Sequence, residues 1–350
     1  MVTDAGPRVG LGHLMRSRAV VEALRARRPA RTTCLGRMGA REARLVRGWG
    51  YALRRFGEGN RRRALRAALA EGGRPDVIVF DAYRRLESEL LLAAKTGAIV
   101  VLFDDGNLRG SGRVPVTLRI GPVLPPRAAP VNRPARLHLA GPRHLCVRPE
   151  IVALRERGRG RSAAGAIVVS LGGGAAPGVG HLLRRLRAAV EARDWVVLAR
   201  RRADVGAGSG RGARRAAGRS VAGRRGARRA AVRQSGQVRV VSDPRAAAGA
   251  LAAAPAVVCA AGTTAWEAAC LGVPAVLWPR VANQRPIART LNGRAAIVCR
   301  RSADLPQALA RLLKDRTLAR RLSRGGRRMV DGRGAQRVAR AILMRLASSS

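Results

Sequence analysis

Apolar positions along this chain fall into two kinds of segment that alternate with each other. Short runs rich in β-branched residues read as buried strands, at 77–80, 99–103, 166–171, 195–198, 238–241, 256–260 and 274–278. Segments of helical period lie among them, at 13–28, 86–96, 181–193, 244–253, 264–271, 283–292 and 336–346. In the first of these, Leu14, Val20, Val21 and Leu24 form the apolar stripe. Strands alternating with helices predict an α/β protein built on parallel sheets. The pattern lapses at 155–165, which reads as a linker. The expected organisation is an N-terminal α/β domain over 1–154, the linker, a C-terminal α/β domain over 166–335 and a helix over 336–350. Two Rossmann-like domains facing each other across a cleft is the fold class this implies.

Length and composition agree. A chain of 350 residues with 47% apolar content suits two domains with real cores. Five cysteines without any C-x-x-C exclude a disulfide scaffold and read as reduced thiols of a cytoplasmic protein. The first residues lack a basic segment followed by an apolar one, so no secretory signal is expected. An uncharged run at 246–266 is long enough to resemble a membrane span. Pro255, Gly249 and Gly262 interrupt it, and a short helix followed by a strand accounts for it without membrane insertion.

Charge adds a question. The chain carries 69 Lys+Arg against 21 Asp+Glu, a net +48, and Lys occurs only at Lys95 and Lys314. Such a surplus would attract polyanions whatever their sequence. A dedicated nucleic-acid binder concentrates its charge, however, and here arginine is spread from Arg8 to Arg345 alongside Ala and Gly. Coding bias on solvated faces explains that spread, and no specific nucleic-acid partner is expected. The densest stretch, a basic insertion at 200–234, has Asp204 as its sole acid. It reads as a loop or as a helix that orders against a partner, and an arginine-rich polyanion-binding role would reside there.

Three segments carry candidate chemistry. Gly10-Leu11-Gly12-His13-Leu14-Met15-Arg16 is a glycine-rich turn opening a helix, where the backbone approaches a ligand closely and free amides suit an anion. It is not a dinucleotide fingerprint, because the third glycine would fall at Met15. His13 sits where the positive end of the helix dipole favours a neutral imidazole, so it is a candidate base; a capping histidine is the alternative. Ala260 to Glu267 reads as strand, turn and helix, with Gly262, Thr263 and Thr264 placed to hold a phosphate. Glu267, one turn later, could accept two ribose hydroxyls, or Thr263 and Glu267 could form an offset capping pair. In the third segment a strand at 274–278 leads through a loop to Asn283 and Gln284.

In combination these segments resemble a family. With Asp81-Ala82-Tyr83, Phe103-Asp104-Asp105, Val147-Arg148-Pro149-Glu150, Ser170 to Gly173 and Val330 to Val338, they are similar to the pseudaminic-acid-pathway UDP-sugar hydrolases and the related spore-coat polysaccharide proteins. The likeness runs in order along nearly the whole chain. It implies the two-domain glycosyltransferase-B (GT-B) fold, and a UDP-linked diacetamido-trideoxy amino sugar as substrate. It implies His13 as the base that activates water for inverting attack on the anomeric carbon, with UDP leaving. By the same resemblance Gly10, Gly12 and Arg16 belong to the substrate site. Gly172, Gly173, Gly174 and the Gly262–Thr264 turn cradle the diphosphate, and Glu267 holds the ribose. Asn283 and Gln284 approach the sugar or diphosphate from the same domain, while Tyr83, Asp104 and Asp105 face the sugar and water across the cleft. Neither a cofactor nor a metal is implied, although the Asp104-Asp105 pair on its own would also suit magnesium. A glycosyltransferase of the same fold, using an acceptor in place of water, is the alternative activity.

The chain departs from the pattern in three places, one of them the basic stretch at 200–234, which has no counterpart in the family's composition. The family's first strand ends in Arg-x-Asp, whereas here Met1 to Asp4 is all that stands before the first glycine turn, with Val2 at the arginine's place. That predicts a gap at the centre of the first sheet and a true start upstream. In the Gly-Gly-Ser/Thr-Asp motif the last two positions are Gly174 and Ala175, which predicts an altered substrate specificity.

Overall fold

The computed structural model describes residues 1–6, 9–57, 60–82, 86–105, 114–123, 135–158, 165–172, 178–190, 193–199, 205 and 236–348. Two parallel sheets organise it. The first contains β1 (Val2–Thr3), β2 (Thr33–Gly36), β3 (Ala52–Arg55), β4 (Val77–Asp81), β5 (Ile99–Phe103), β6 (Val116–Gly121) and β7 (Ala135–Ala140), in the order β3-β2-β1-β4-β5-β6-β7. The second contains β8 (Ile167–Ser170), β9 (Trp195–Leu198), β10 (Val238–Val241), β11 (Val257–Cys259), β12 (Ala275–Leu277) and β13 (Ala296–Val298), in the order β10-β9-β8-β11-β12-β13. In each sheet the order reverses once, between β1 and β4 and between β8 and β11. Loops leaving the strands on either side of such a switch diverge, and the crevice between them is where α/β sheets bind ligands.

The expected central gap is filled by the two residues of β1. Val2 pairs with Leu35 on one side and Phe80 on the other, Thr3 lies opposite Asp81, and the Met1 amino group donates to the Thr33 carbonyl at 2.7 Å.

Helix α1 (Gly12–Arg25) buries Leu14, Val20 and Val21 as the stripe predicts, but it ends three residues before 28. Pro29 drives the preceding residue out of helical geometry, and the amides of Arg27 and Arg28 both turn back to the Leu24 carbonyl. The helix predicted at 283–292 is a 3-10 turn (Ala282–Gln284) followed by α9 (Arg285–Leu291), because Pro286 occupies the first α-helical turn and has no N–H.

Further helices complete the layers around both sheets. In the first half these are α2 (Ala40–Gly48), α3 (Arg61–Gly72) and α4 (Glu87–Ala94), and then α5 (Pro149–Glu156) follows β7. In the second half they are α6 (Val179–Ala189), α7 (Pro244–Ala253), α8 (Thr263–Leu271), α10 (Leu305–Lys314), α11 (Arg316–Met329) and α12 (Gly334–Ala347).

The chain crosses between the two sheets twice. Leu145, Val147 and Ile151 join the core of the second sheet, so α5 packs against α7 and α8. In return, Ala335, Val338 and Ile342 of α12 join Ala19 and Val20 of α1 on the first sheet. The two crossings touch. A Cβ at Gly334 would lie 2.1 Å from the Leu145 carbonyl oxygen, which is why glycine stands there, and Arg337 donates to the Arg143 carbonyl at 2.8 Å. No helix among the described residues is long and apolar enough to cross a membrane.

Candidate active site in the cleft between the sheets

Both switch points open onto one cleft. From the first sheet, β1 leads through the turn at Gly6–Gly10, closed by a pair of backbone hydrogen bonds, to the start of α1. From the second, β11 leads through Gly262 to the start of α8. Neither helix start has a side-chain cap, so the first amides of both are left to other acceptors. The two ends approach closely: a Cβ added to Gly12 would come within 2.5 Å of Thr263 Oγ1. A cavity of about 290 Å³ lies between the domains here.

His13 does not cap its own helix. Its Nδ1 is hydrogen bonded to Asp81 Oδ1, at the end of the neighbouring strand β4. Arg16, one turn on, fixes that carboxylate from the other side, with Nε 2.8 Å from Oδ2 and Nη2 2.7 Å from Oδ1. Its Nη1 holds both oxygens of Asp105, at 2.9 and 3.0 Å, and the guanidinium stacks 4.5 Å above the Phe103 ring. Arg16 is therefore a clamp between two carboxylates. Burial pushes the Asp81 carboxyl up, but the charges of Arg16 and His13 and the hydrogen bonds from both outweigh it and hold the group at about 2.

A depressed folded-state value means that the ionised carboxylate stabilises the fold above its ordinary 3.8, and that this contribution is lost as pH falls through about 2. Asp81→Asn is accordingly expected to flatten the acid limb of the stability curve between about pH 4 and pH 2. Denaturant titrations at a series of pH values measure this, and a variant as steep as the wild type in that window contradicts it.

Glu267 also does not cap. Arg148, at the start of α5, grips it with two hydrogen bonds, Nε to Oε1 at 2.7 Å and Nη2 to Oε2 at 3.0 Å. Its Nη1 reaches the Pro244 carbonyl at 2.6 Å. Both side chains are buried, and each carboxylate oxygen keeps a further lone pair for a donor from the cavity. Beside them, Ser170 Oγ and Thr264 Oγ1 lie 3.3 Å apart, joining the ends of β8 and α8. Cys146 lines the cavity as well, but burial pushes its thiol far up and keeps it protonated, so it is no nucleophile.

No protein-family model matches the sequence, and no curated protein does. Among solved structures the chain is similar to MurG of Acinetobacter baumannii, at 17% identity and a TM-score of 0.61 over 98% of this chain and 99% of that one. It is similar to the UDP-GlcNAc 2-epimerase of Neisseria meningitidis, solved with UDP-GlcNAc bound, at 10% identity and a TM-score of 0.62 over 98% of each chain. CalG4, the calicheamicin glycosyltransferase, matches at 18% identity and a TM-score of 0.61 over 99% of this chain and 97% of that one. The chain has the GT-B fold.

The GT-B cleft gathers twelve of the residues expected from the sequence: Gly10, Gly12, His13, Arg16, Asp105, Gly172, Gly262, Thr263, Thr264, Glu267, Asn283 and Gln284. Gln284 turns its side-chain oxygen back to the Arg280 amide at 2.8 Å. Asp104 is a correction. It was expected to face the cleft with Asp105, but successive residues of an extended chain point to opposite sides. Asp104 is fully buried behind the cleft and accepts from Arg119 Nη1 at 3.1 Å. The two carboxylates are thus answered by different arginines and do not form a magnesium-holding pair. Tyr83, Gly173 and Gly174 lie outside the described residues, as does all but Val205 of the basic insertion. Sequence reasoning gave no role to Asp81 or Arg148, although both lie in motifs it singled out. An aspartate ending the strand beside β1 was the available signal for the first.

Proposed function

We propose that this chain cleaves a nucleotide-diphosphate sugar at the anomeric carbon, with UDP as leaving group and water as nucleophile. The observation that carries the reading is the His13–Asp81 pair, set at the mouth of α1 and opposite the uncapped start of α8. Asp81 fixes the imidazole with Nδ1 as donor, so Nε2 is the nitrogen that accepts the proton. Water attacks the anomeric carbon as its proton passes to Nε2. The bond from that carbon to the β-phosphate oxygen breaks, and UDP departs with the electron pair, giving the free sugar with inverted configuration. Amides and hydroxyls at the Gly262–Thr264 turn stabilise the charge that grows on the diphosphate. Glu267, steadied by Arg148, accepts the ribose hydroxyls. Asp105, Asn283 and Gln284 orient the sugar, which the sequence resemblance makes a diacetamido-trideoxy amino sugar.

Glycosyl transfer is the second reading, favoured by the fold shared with CalG4. The same dyad would deprotonate an acceptor hydroxyl. Following UDP release from candidate UDP-diacetamido-trideoxyhexoses, with and without acceptor, separates the two. Hydrolysis predicts full release in buffer alone, and release that waits for an acceptor contradicts it.

A further inference from the structure

Among the described residues three arginines line the cleft, Arg16, Arg41 and Arg148. Two of them are committed elsewhere. Arg16 answers Asp81 and Asp105, and Arg148 answers Glu267. The carboxylates that line the cleft with them, Asp105 and Glu267, cancel those two cations, and Asp81 lies buried behind Arg16, so without Arg41 the cleft's charged side chains supply no net positive charge. A nucleotide diphosphate is itself an anion, and helix amides and threonine hydroxyls offer it dipoles but no net charge. Arg41 supplies what is missing. It stands in the first turn of α2, has no carboxylate partner among the described residues, and donates from Nη2 across the cleft to the Ser242 carbonyl. Its Nε and Nη1 remain to form the fork that suits phosphate oxygens.

We infer that Arg41 is the N-terminal domain's ligand for the substrate's diphosphate, an inference that rests on the UDP-sugar reading above. Through Ser242 the same side chain ties the two domains together over the nucleotide. Arg41 is thus a specificity-determining residue that ranks nucleotides by their phosphates.

Calorimetric titration of the full chain with UDP and with uridine tests this. Arg41→Gln is expected to weaken UDP about 10- to 100-fold while changing uridine less than about 3-fold, with Arg41→Lys in between. Arg44→Gln removes an exposed arginine one turn on that does not line the cleft, and it is expected to bind UDP like the wild type. Equal losses for UDP and uridine, an unchanged UDP affinity in Arg41→Gln, or a comparable loss in Arg44→Gln overturns the inference alone. A wild-type protein that binds neither compound overturns the UDP-sugar reading, and the inference with it. Melting curves of each variant confirm that folded protein is being titrated.

Discussion

Replacing His13 by alanine is expected to lower the rate of UDP release about 100- to 10,000-fold, the usual contribution of a positioned general base. KM should change little, because the groups proposed to hold the nucleotide belong mainly to the other domain. Asp81→Asn is expected to fall in the same range. An amide can donate to Nδ1 as well as accept from it, so the imidazole is no longer held with Nε2 free of its proton. If the pair acts as a unit, the double variant loses scarcely more than either single one, because the second change removes nothing the first has left. Multiplying losses in the double variant would show that the two residues act independently, and a His13→Ala rate within a factor of a few of wild type would show that the base lies elsewhere.

The second large effect concerns stability. Arg148 and Glu267 are both buried and joined by two hydrogen bonds, so removing one partner leaves an unanswered charge in the interior. Arg148→Met is expected to cost about 3–5 kcal/mol of folding stability. Removing both charges, with Arg148→Met and Glu267→Gln together, should return most of that loss because nothing ionised stays buried. Activity should not return with it, since the carboxylate proposed to hold the ribose is gone. Chemical denaturation of the four proteins gives the coupling directly. Additive losses would mean that the two side chains are independent.

Much of this architecture is legible in the sequence, for a physical reason. Strands buried on both faces must be continuously apolar, so the runs that became β4, β5, β8 and β11 stand out, and the helices between them follow. Elements with a solvated face are harder to read here, because arginine fills that face. In β3 the sequence is Ala-Leu-Arg-Arg. Strand β6 is obscured for a different reason: it buries Arg119 in the middle of its run, paired to Asp104 in the interior. Helix α11 has arginine at six of its 14 positions and marks its buried side chiefly with Leu318 and Leu322. Its other device is invisible to periodicity: Gly325 and Gly326 let the helix lie directly against the backbone near Arg294 and Ala269.

The candidate site shows the same division. Turn glycines, hydroxyls and exposed acids form short local motifs, and these the sequence displays. Partnerships across long separations it does not display. His13 meets Asp81 because β1 and β4 are neighbours in a sheet, and Glu267 meets Arg148 because α5 crosses to the second domain. The Asp104-Asp105 pair misleads for the opposite reason. Adjacency in sequence suggests a shared function, whereas the extended backbone sends one carboxylate into the interior and the other into the cleft. The arginine surplus changes meaning as well. At least six arginines (Arg16, Arg61, Arg119, Arg148, Arg18 and Arg337) are spent on internal ion pairs with the scarce carboxylates.

The proposed chemistry makes one isotopic demand. When a UDP-linked diacetamido-trideoxyhexose is turned over in ¹⁸O-labelled water without acceptor, the bond that breaks decides where the label goes. Attack at the anomeric carbon, with the proton taken by His13, places ¹⁸O in the C1 hydroxyl of the free sugar and leaves UDP unlabelled. Label in the β-phosphate of UDP, or no UDP at all from the wild-type protein, contradicts the account.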